Sequence, residues 1–132
     1  MFPSHDPKAR NDCGYTPLSW AALEGHLQSV EAMLNAPKDS QYPESLGYIL
    51  TTNNVYIYRR RPLHLAVLRN HISIVNAILK AVKESTDPEL LESILMTTDM
   101  YGDTPLQAAF KNGHTGIIKI IQNAIEEKKY YE

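Results

Sequence analysis

Histidine and cysteine are the residues in this sequence that could hold a metal ion or act as a nucleophile, and their spacing argues against both roles. His26, His71 and His114 recur at intervals of 45 and 43 residues, so they mark a long period rather than a cluster. Zinc sites bring Cys and His together in closely spaced pairs, which the sequence lacks. The single cysteine, Cys13, has no adjacent basic residue to activate it. We therefore expect no metal ion, no cofactor and no catalytic activity.

A run of three arginines, Arg59 to Arg61, is the next candidate for chemistry. Tyr56 and Tyr58 precede it and Pro62 follows it. The run is consistent with a solvated basic turn, with a contact patch for an acidic protein surface, or with a nuclear-import or nucleic-acid motif. Tyrosines can stack on bases, but no second basic cluster reinforces the run. We therefore expect no binding to nucleic acid.

Composition places the chain among globular proteins. It has 132 residues, of which 43% are hydrophobic and 21% charged, enough for one domain with a modest core. The net charge of −2 gives no strong attraction to phosphate backbones or anionic membranes. One cysteine fits a reducing compartment, and we find neither a secretion signal nor an apolar run long enough to span a membrane. We expect a cytoplasmic monomer without membrane contact.

Three segments of the chain align without gaps, and each has a proline followed by leucine. Alanine stands four positions after the proline and histidine nine positions after it. This regularity indicates an internal repeat. The segments are GYTPLSWAALEGHLQSVEAML from Gly14, RRRPLHLAVLRNHISIVNAIL from Arg59, and GDTPLQAAFKNGHTGIIKIIQ from Gly102.

Each segment predicts two antiparallel helices. Thr16 and Thr104 are suitable N-caps, and the proline that follows fits the first helical turn, where its missing N–H is harmless. Gly25, Asn70 and Gly113 are placed to end the first helix, because these residue types accept the left-handed conformation. A second helix follows, with apolar residues spaced three and four apart.

The three segments resemble ankyrin repeats, whose signature is T-P-L-H-x-A followed by G-H. The signature reads TPLSWA from Thr16, RPLHLA from Arg61 and TPLQAA from Thr104. The resemblance implies an all-α solenoid of three helix pairs within a single domain, 1–132. The repeats cover about 14–36, 59–81 and 102–124.

The repeats are longer than the usual ~33 residues, and the excess is itself repeated. YPESLGYILTT begins at Tyr42 and DPELLESILMT at Asp87. Asp87 before a proline is a good helix start, with Glu89 favourable in the first turn. We predict short extra helices inserted between the repeats, at about 43–51 and 88–96.

Two departures from the family pattern affect the turns. The family's threonine–histidine hydrogen bond cannot form in its standard version, because Ser19 and Gln107 replace histidine and Arg61 replaces threonine beside His64. Arg59 also stands where the other two segments have glycine, at the tip of a hairpin finger in the family. Since arginine tolerates a positive φ poorly, we expect the second finger to have a different tip.

The resemblance places partner binding on the first-helix face and the fingers. Leu23 and Leu68 lie just before the turn, at a position usually exposed on the family's concave face, although packing against the inserted helix is equally compatible with the sequence. We expect Arg59 and Arg60 to project from the second finger. The candidate partner-binding residues are Tyr15, Leu23, Glu24, Tyr58, Arg59, Arg60, Leu68, Arg69, Tyr101, Asp103, Lys111 and Asn112.

These observations favour a non-enzymatic protein–protein interaction module. Short ankyrin proteins with lengthened repeats resemble effectors that intracellular bacteria deliver into host cells, which implies a host protein as partner and the host cytosol as location. The alternative is a regulatory or targeting segment of a larger enzyme.

Overall fold

The computed structural model describes residues 14–35, 46–52, 59–85 and 87–130. Within these ranges the chain forms eight α-helices and no β-strand, which confirms the all-α prediction. The helices are α1 (Pro17–Glu24), α2 (Leu27–Asn35), α3 (Leu46–Thr51), α4 (Pro62–Leu68), α5 (Ile72–Lys83), α6 (Leu90–Met96), α7 (Pro105–Asn112) and α8 (Thr115–Tyr130).

Three helix pairs stack in two layers. The first helices α1, α4 and α7 pack side by side, as do the second helices α2, α5 and α8. Ala66, Ala109, Val30, Val75 and Ile78 are completely buried between them. The small alanine side chains let neighbouring helices approach closely, and the aliphatic side chains fill the space between layers. This arrangement is the predicted solenoid.

The predicted helix starts and turns are present. Thr16 Oγ1 accepts a hydrogen bond from the Ser19 N–H (3.1 Å), and Thr104 Oγ1 accepts one from the Gln107 N–H (3.2 Å). After the first helix of each pair the chain turns through a left-handed residue: Gly25 at φ 80°, Asn70 at φ 58° and Gly113 at φ 68°. Asparagine thus substitutes for glycine at the second turn, as the alignment predicts.

The inserted segments form helices α3 and α6, which pack against each other. Each buries an Ile-Leu pair, Ile49-Leu50 and Ile94-Leu95, so the apolar residues that repeat in the sequence form the contact with the core. Helix α6 also contacts α5 and α7, which places it over the junction of the second and third pairs. It begins at Leu90, two residues after the predicted start, because residues 88 and 89 form a turn.

The prediction of a different tip for the second finger is wrong at Arg59. Its φ is 54°, in the same left-handed region as Gly14 (85°) and Gly102 (81°). Arginine therefore bears the steric cost of a positive φ at this position. The preceding residues of the finger, 53–58, lie outside the described residues.

Candidate functional site

Asp99 is the centre of a polar network that joins the second finger, which includes Arg59 and Arg60, to the third finger, which comprises residues 99–103. Its Oδ1 accepts hydrogen bonds from the N–H groups of Tyr101 (2.9 Å) and Asp103 (3.1 Å), which fixes the turn of the third finger. Its Oδ2 accepts one from Arg60 Nε (3.2 Å). The Asp99 side chain is 1% exposed and that of Arg60 21%, so this is a largely buried ion pair.

The pKa of Asp99 lies below its ordinary value of 3.8. Burial acts to raise it, but the backbone hydrogen bonds from Asp103 and Tyr101 and the Arg60 guanidinium together outweigh the desolvation. Asp99 is therefore a carboxylate at neutral pH, held in place by three donors.

The three arginines have different environments. Arg59 is exposed. Arg60, expected to project, instead turns inward to Asp99, and its guanidinium lies 5.8 Å from the centre of the Tyr101 ring. Local sequence does not predict this orientation of Arg60, because the carboxylate that binds it belongs to Asp99, 39 residues away in the chain. Arg61 Nη1 donates a hydrogen bond to Thr97 Oγ1.

His64 is completely buried in the same network. Its Nε2 lies 3.0 Å from the carbonyl oxygen of Asp103, and since a carbonyl only accepts, Nε2 carries the hydrogen. Nδ1 then has a lone pair, and it has no hydrogen-bond partner among the described residues. Burial lowers the pKa of His64, assisted by the charges of Arg60 and Arg61 and opposed by the Asp103 carbonyl and the charge of Asp99.

His71 and His114 link successive helix pairs. His71 Nε2 donates to the carbonyl oxygen of Leu23 (3.1 Å), and His114 Nε2 donates to that of Leu68 (3.2 Å). The ring of His71 fits closely against Gly25, where an added Cβ would lie 2.7 Å from Cε1. His71 and His114 thus have a structural role, and no metal-binding cluster of His, Cys, Asp and Glu occurs in the described residues.

The candidate residues at the ends of the first helices divide into anchored and exposed side chains. Leu23 and Leu68 are half-buried, and Leu68 packs against the core, so they do not form a fully open strip. Glu24, Arg69, Lys111 and Asn112 are exposed. Lys111 Nζ pairs with Asp103 Oδ2 (2.8 Å), and the Asn112 side chain donates to the Ala108 carbonyl (2.8 Å).

The third finger presents the most exposed large apolar side chains of the described chain: Met100 is 61% exposed and Tyr101 60%. Tyr15, near the first finger, is half-buried and packs on Trp20, with ring centroids 5.8 Å apart. Both tyrosines are among the candidates predicted from the sequence, whereas Met100 is not. The candidate Tyr58 lies outside the described residues.

A groove lies between α5, α6 and α8 and has a volume of about 430 Å³. Its apolar lining comes from Leu79, Leu91, Ile120 and Ala124, with Asn76, Lys80 and Asn123 among its polar residues. An ion pair between Lys83 and Glu127 also lines it. The groove was not predicted from the sequence, because its shape depends on how the inserted helix α6 packs against α5 and α8.

No helix in the described part of the chain is both long and apolar enough to cross a membrane. Comparison with curated protein sequences finds no match. A family model described as "Ankyrin repeats (3 copies)" matches residues 1–89, two thirds of the chain. The third helix pair lies beyond the matched range but has the same threonine cap and left-handed glycine turn. The chain therefore belongs to the ankyrin-repeat family, a class of protein-interaction modules.

Proposed function

We propose that this chain binds a partner protein along a surface that we call the finger edge. It runs from the finger tips to the last turns of the first helices. The observation that carries the proposal is the third finger tip, where Met100 and Tyr101 stand about 60% exposed on a turn fixed by Asp99. The described members of the finger edge are Arg59, Met100, Tyr101, Asp103, Glu24, Arg69, Lys111 and Asn112.

Pre-ordered apolar side chains favour binding because their conformational entropy is already lost before the partner arrives. Tyr101 is held from below by Arg60, whose guanidinium faces its ring. Tyrosine and methionine are both enriched at protein interfaces. A partner that covers this tip can therefore gain apolar area at low entropic cost.

Charge on the finger edge favours an acidic partner surface. Arg59 and Arg69 are exposed, and Lys111 and Asp103 neutralise each other as an ion pair. Glu24 is the remaining exposed acid among the candidates. The excess of positive charge would act mainly on the rate of association and on its salt dependence. Because Arg60 is bound to Asp99, Arg59 is the appropriate arginine to test.

The test begins with capture of binding proteins by the intact chain, followed by kinetics with the partner identified. Tyr101→Ala should raise the dissociation rate about tenfold, and Arg59→Ala should lower the association rate severalfold at low salt and less at high salt. Lys119→Ala, an exposed change on α8, serves as the control. Leu68→Ala is a poor probe because it also removes core packing.

Wild-type kinetics for both finger variants, in chains that fold normally, would reject the finger edge. The groove beside the inserted helix α6 is then the next candidate, and Leu91→Ser with Lys80→Ala would test it. This outcome leaves the interaction function in place and moves only its location.

Two wider roles remain hypotheses. The lengthened repeats support the effector role through family resemblance. A test is to fuse a translocation reporter to the chain in an intracellular bacterium and to measure whether the fusion enters the host cytosol. A regulatory segment of a larger enzyme predicts a catalytic domain encoded in the same open reading frame. Sequencing across both ends of the gene would distinguish the two.

A further inference from the structure

Within the part of the chain that the structure describes, the side of the third helix pair that faces away from the second is less covered than the same side of the earlier pairs. Ala22 and Val67 are completely buried at the same position of the first and second pairs, whereas Phe110 is 55% exposed in the third. Val30 and Val75 are likewise completely buried, but the equivalent Ile118 is only half-buried. We call this surface the end face: Leu106, Gln107, Phe110, Ile118 and Gln122.

The end face continues an interface that already exists twice in the chain. Helices α1 and α2 pack against α4 and α5, and α4 and α5 pack against α7 and α8. The residues of the first and second pairs at the equivalent positions are buried. Helix pairs in such stacks depend on their neighbours for burial. Phe110, Leu106 and Ile118 therefore offer apolar area to another helical surface.

A further helix pair at the same spacing does not fit this surface well. Alanine and valine fill the position in the first two pairs, and phenylalanine is much larger than either. Overfilling a closely packed interface costs free energy. The occupant is therefore a surface whose distance from the end face can adjust to the Phe110 ring.

In place of the monomer expected from the sequence, we propose that two copies of this chain associate through their end faces, across a twofold axis. A charge close to a twofold axis meets its own copy and is repelled by it. None of the five residues is charged. Two Phe110 rings can pack against each other in an offset arrangement, and the amide of Gln122 can both donate and accept across the axis.

The end face has five residues, fewer than the ~20–30 per partner of a standard interface, so we expect a weak dimer with a Kd in about the micromolar range. Sedimentation equilibrium of the intact chain over about 5 μM to 1 mM measures it. Phe110→Ala should raise the Kd about tenfold, and Phe110→Glu should raise it further by placing two carboxylates together. Met96→Gln is the matched control, because Met96 is 54% exposed on α6.

Both Phe110 variants keep the fold because the side chain is exposed, and circular dichroism checks this. Methyl chemical shifts of Leu106 and Ile118 should move with wild-type concentration, whereas those of Leu91 should not. Three results would overturn the proposal: a wild-type monomer at 1 mM, equal dimerisation of Phe110→Glu and wild type, or growth beyond a dimer, which indicates head-to-tail stacking.

Discussion

Helices α4 and α7 begin with the same Pro-Leu sequence, but different interactions hold their starts. At α7, Thr104 and Gln107 exchange hydrogen bonds in a local capping box. At α4, Arg61 forms no side-chain cap. The second start is instead tied to the third finger, through His64 to the Asp103 carbonyl and through Arg60 to Asp99. A turn that loses its local cap is thus stabilised by the next repeat, which couples the two pairs.

The largest expected effect comes from breaking that coupling with Asp99→Ala. The change leaves Arg60 without its carboxylate and removes the acceptor of the Tyr101 and Asp103 N–H groups. We expect the free energy of unfolding to fall by about 3 kcal/mol, measured by urea denaturation.

Two comparison variants define the origin of this loss. Asp99→Asn keeps an amide oxygen for the backbone N–H groups and should cost less than Asp99→Ala. Asp103→Asn removes only the ion pair to Lys111, which is 62% exposed, and should cost under about 0.5 kcal/mol. If Asp99→Ala costs no more than Asp103→Asn, the buried network does not hold the fingers together.

A smaller effect, of opposite sign, is expected when α4 is given the local cap of its neighbours. In the first pair, Thr16 Oγ1 accepts the Ser19 N–H and donates to Ser19 Oγ at 3.0 Å. Arg61→Thr places the same hydroxyl beside His64. There it can accept a hydrogen bond from the backbone N–H of His64 and donate one to His64 Nδ1, which has no partner among the described residues. It also removes a guanidinium whose pKa is lowered by burial.

We expect Arg61→Thr to raise the free energy of unfolding by about 1 kcal/mol, after the loss of the bond to Thr97. Thr104→Ala is the complementary experiment and should lower it by about the same amount. Arg61→Ala separates the effect of removing the guanidinium from the effect of adding a cap, since it removes the guanidinium without adding a cap. Equal stability of Arg61→Thr and Arg61→Ala would show that the cap contributes nothing.

The contrast between α4 and α7 also shows which features local sequence predicts. The caps at Thr16 and Thr104 and the turns at Gly25 and Asn70 depend on residues within a few positions, so the repeat pattern predicts them. Asp99 was missed because its partner Arg60 is 39 residues distant.

Arg59 was predicted wrongly for a related reason. The cost of a positive φ in arginine is about 1 kcal/mol, and the contacts of a whole repeat outweigh it. The finger tips and the groove beside α6 likewise depend on how distant segments pack, which local sequence cannot specify.

A smaller stabilisation is expected from relieving the strain at Arg59 in the second finger. Arg59→Gly removes the steric cost of the positive φ, and Gly102 shows that the third finger uses glycine at the same position. Glycine also gains entropy in the unfolded chain, so the net stabilisation should be about 0.5 kcal/mol. Arg59→Ala, which keeps a Cβ, is the control and should not be stabilised. A lower melting temperature for Arg59→Gly would mean that the arginine side chain makes a contact worth more than the strain.

The smallest effect near neutral pH is expected from His64, because only the first part of its titration lies there. Its folded pKa lies below the ordinary 6.5, so folding favours the neutral ring. The contribution of His64 to the free energy of unfolding is therefore complete above pH 6.5. It is lost as the pH falls below 6.5, because the unfolded chain then binds a proton more readily than the folded chain does. The carboxylate of Asp99 adds a loss of stability in the same direction, but only below its ordinary pKa of 3.8.

The urea midpoint should therefore decline between pH 6.5 and pH 5. His64→Leu should flatten that decline, although it lowers stability at every pH because it removes the hydrogen bond to the Asp103 carbonyl. If the urea midpoint of His64→Leu falls with pH as steeply as that of the wild type, other groups cause the acid sensitivity and His64 does not contribute to it.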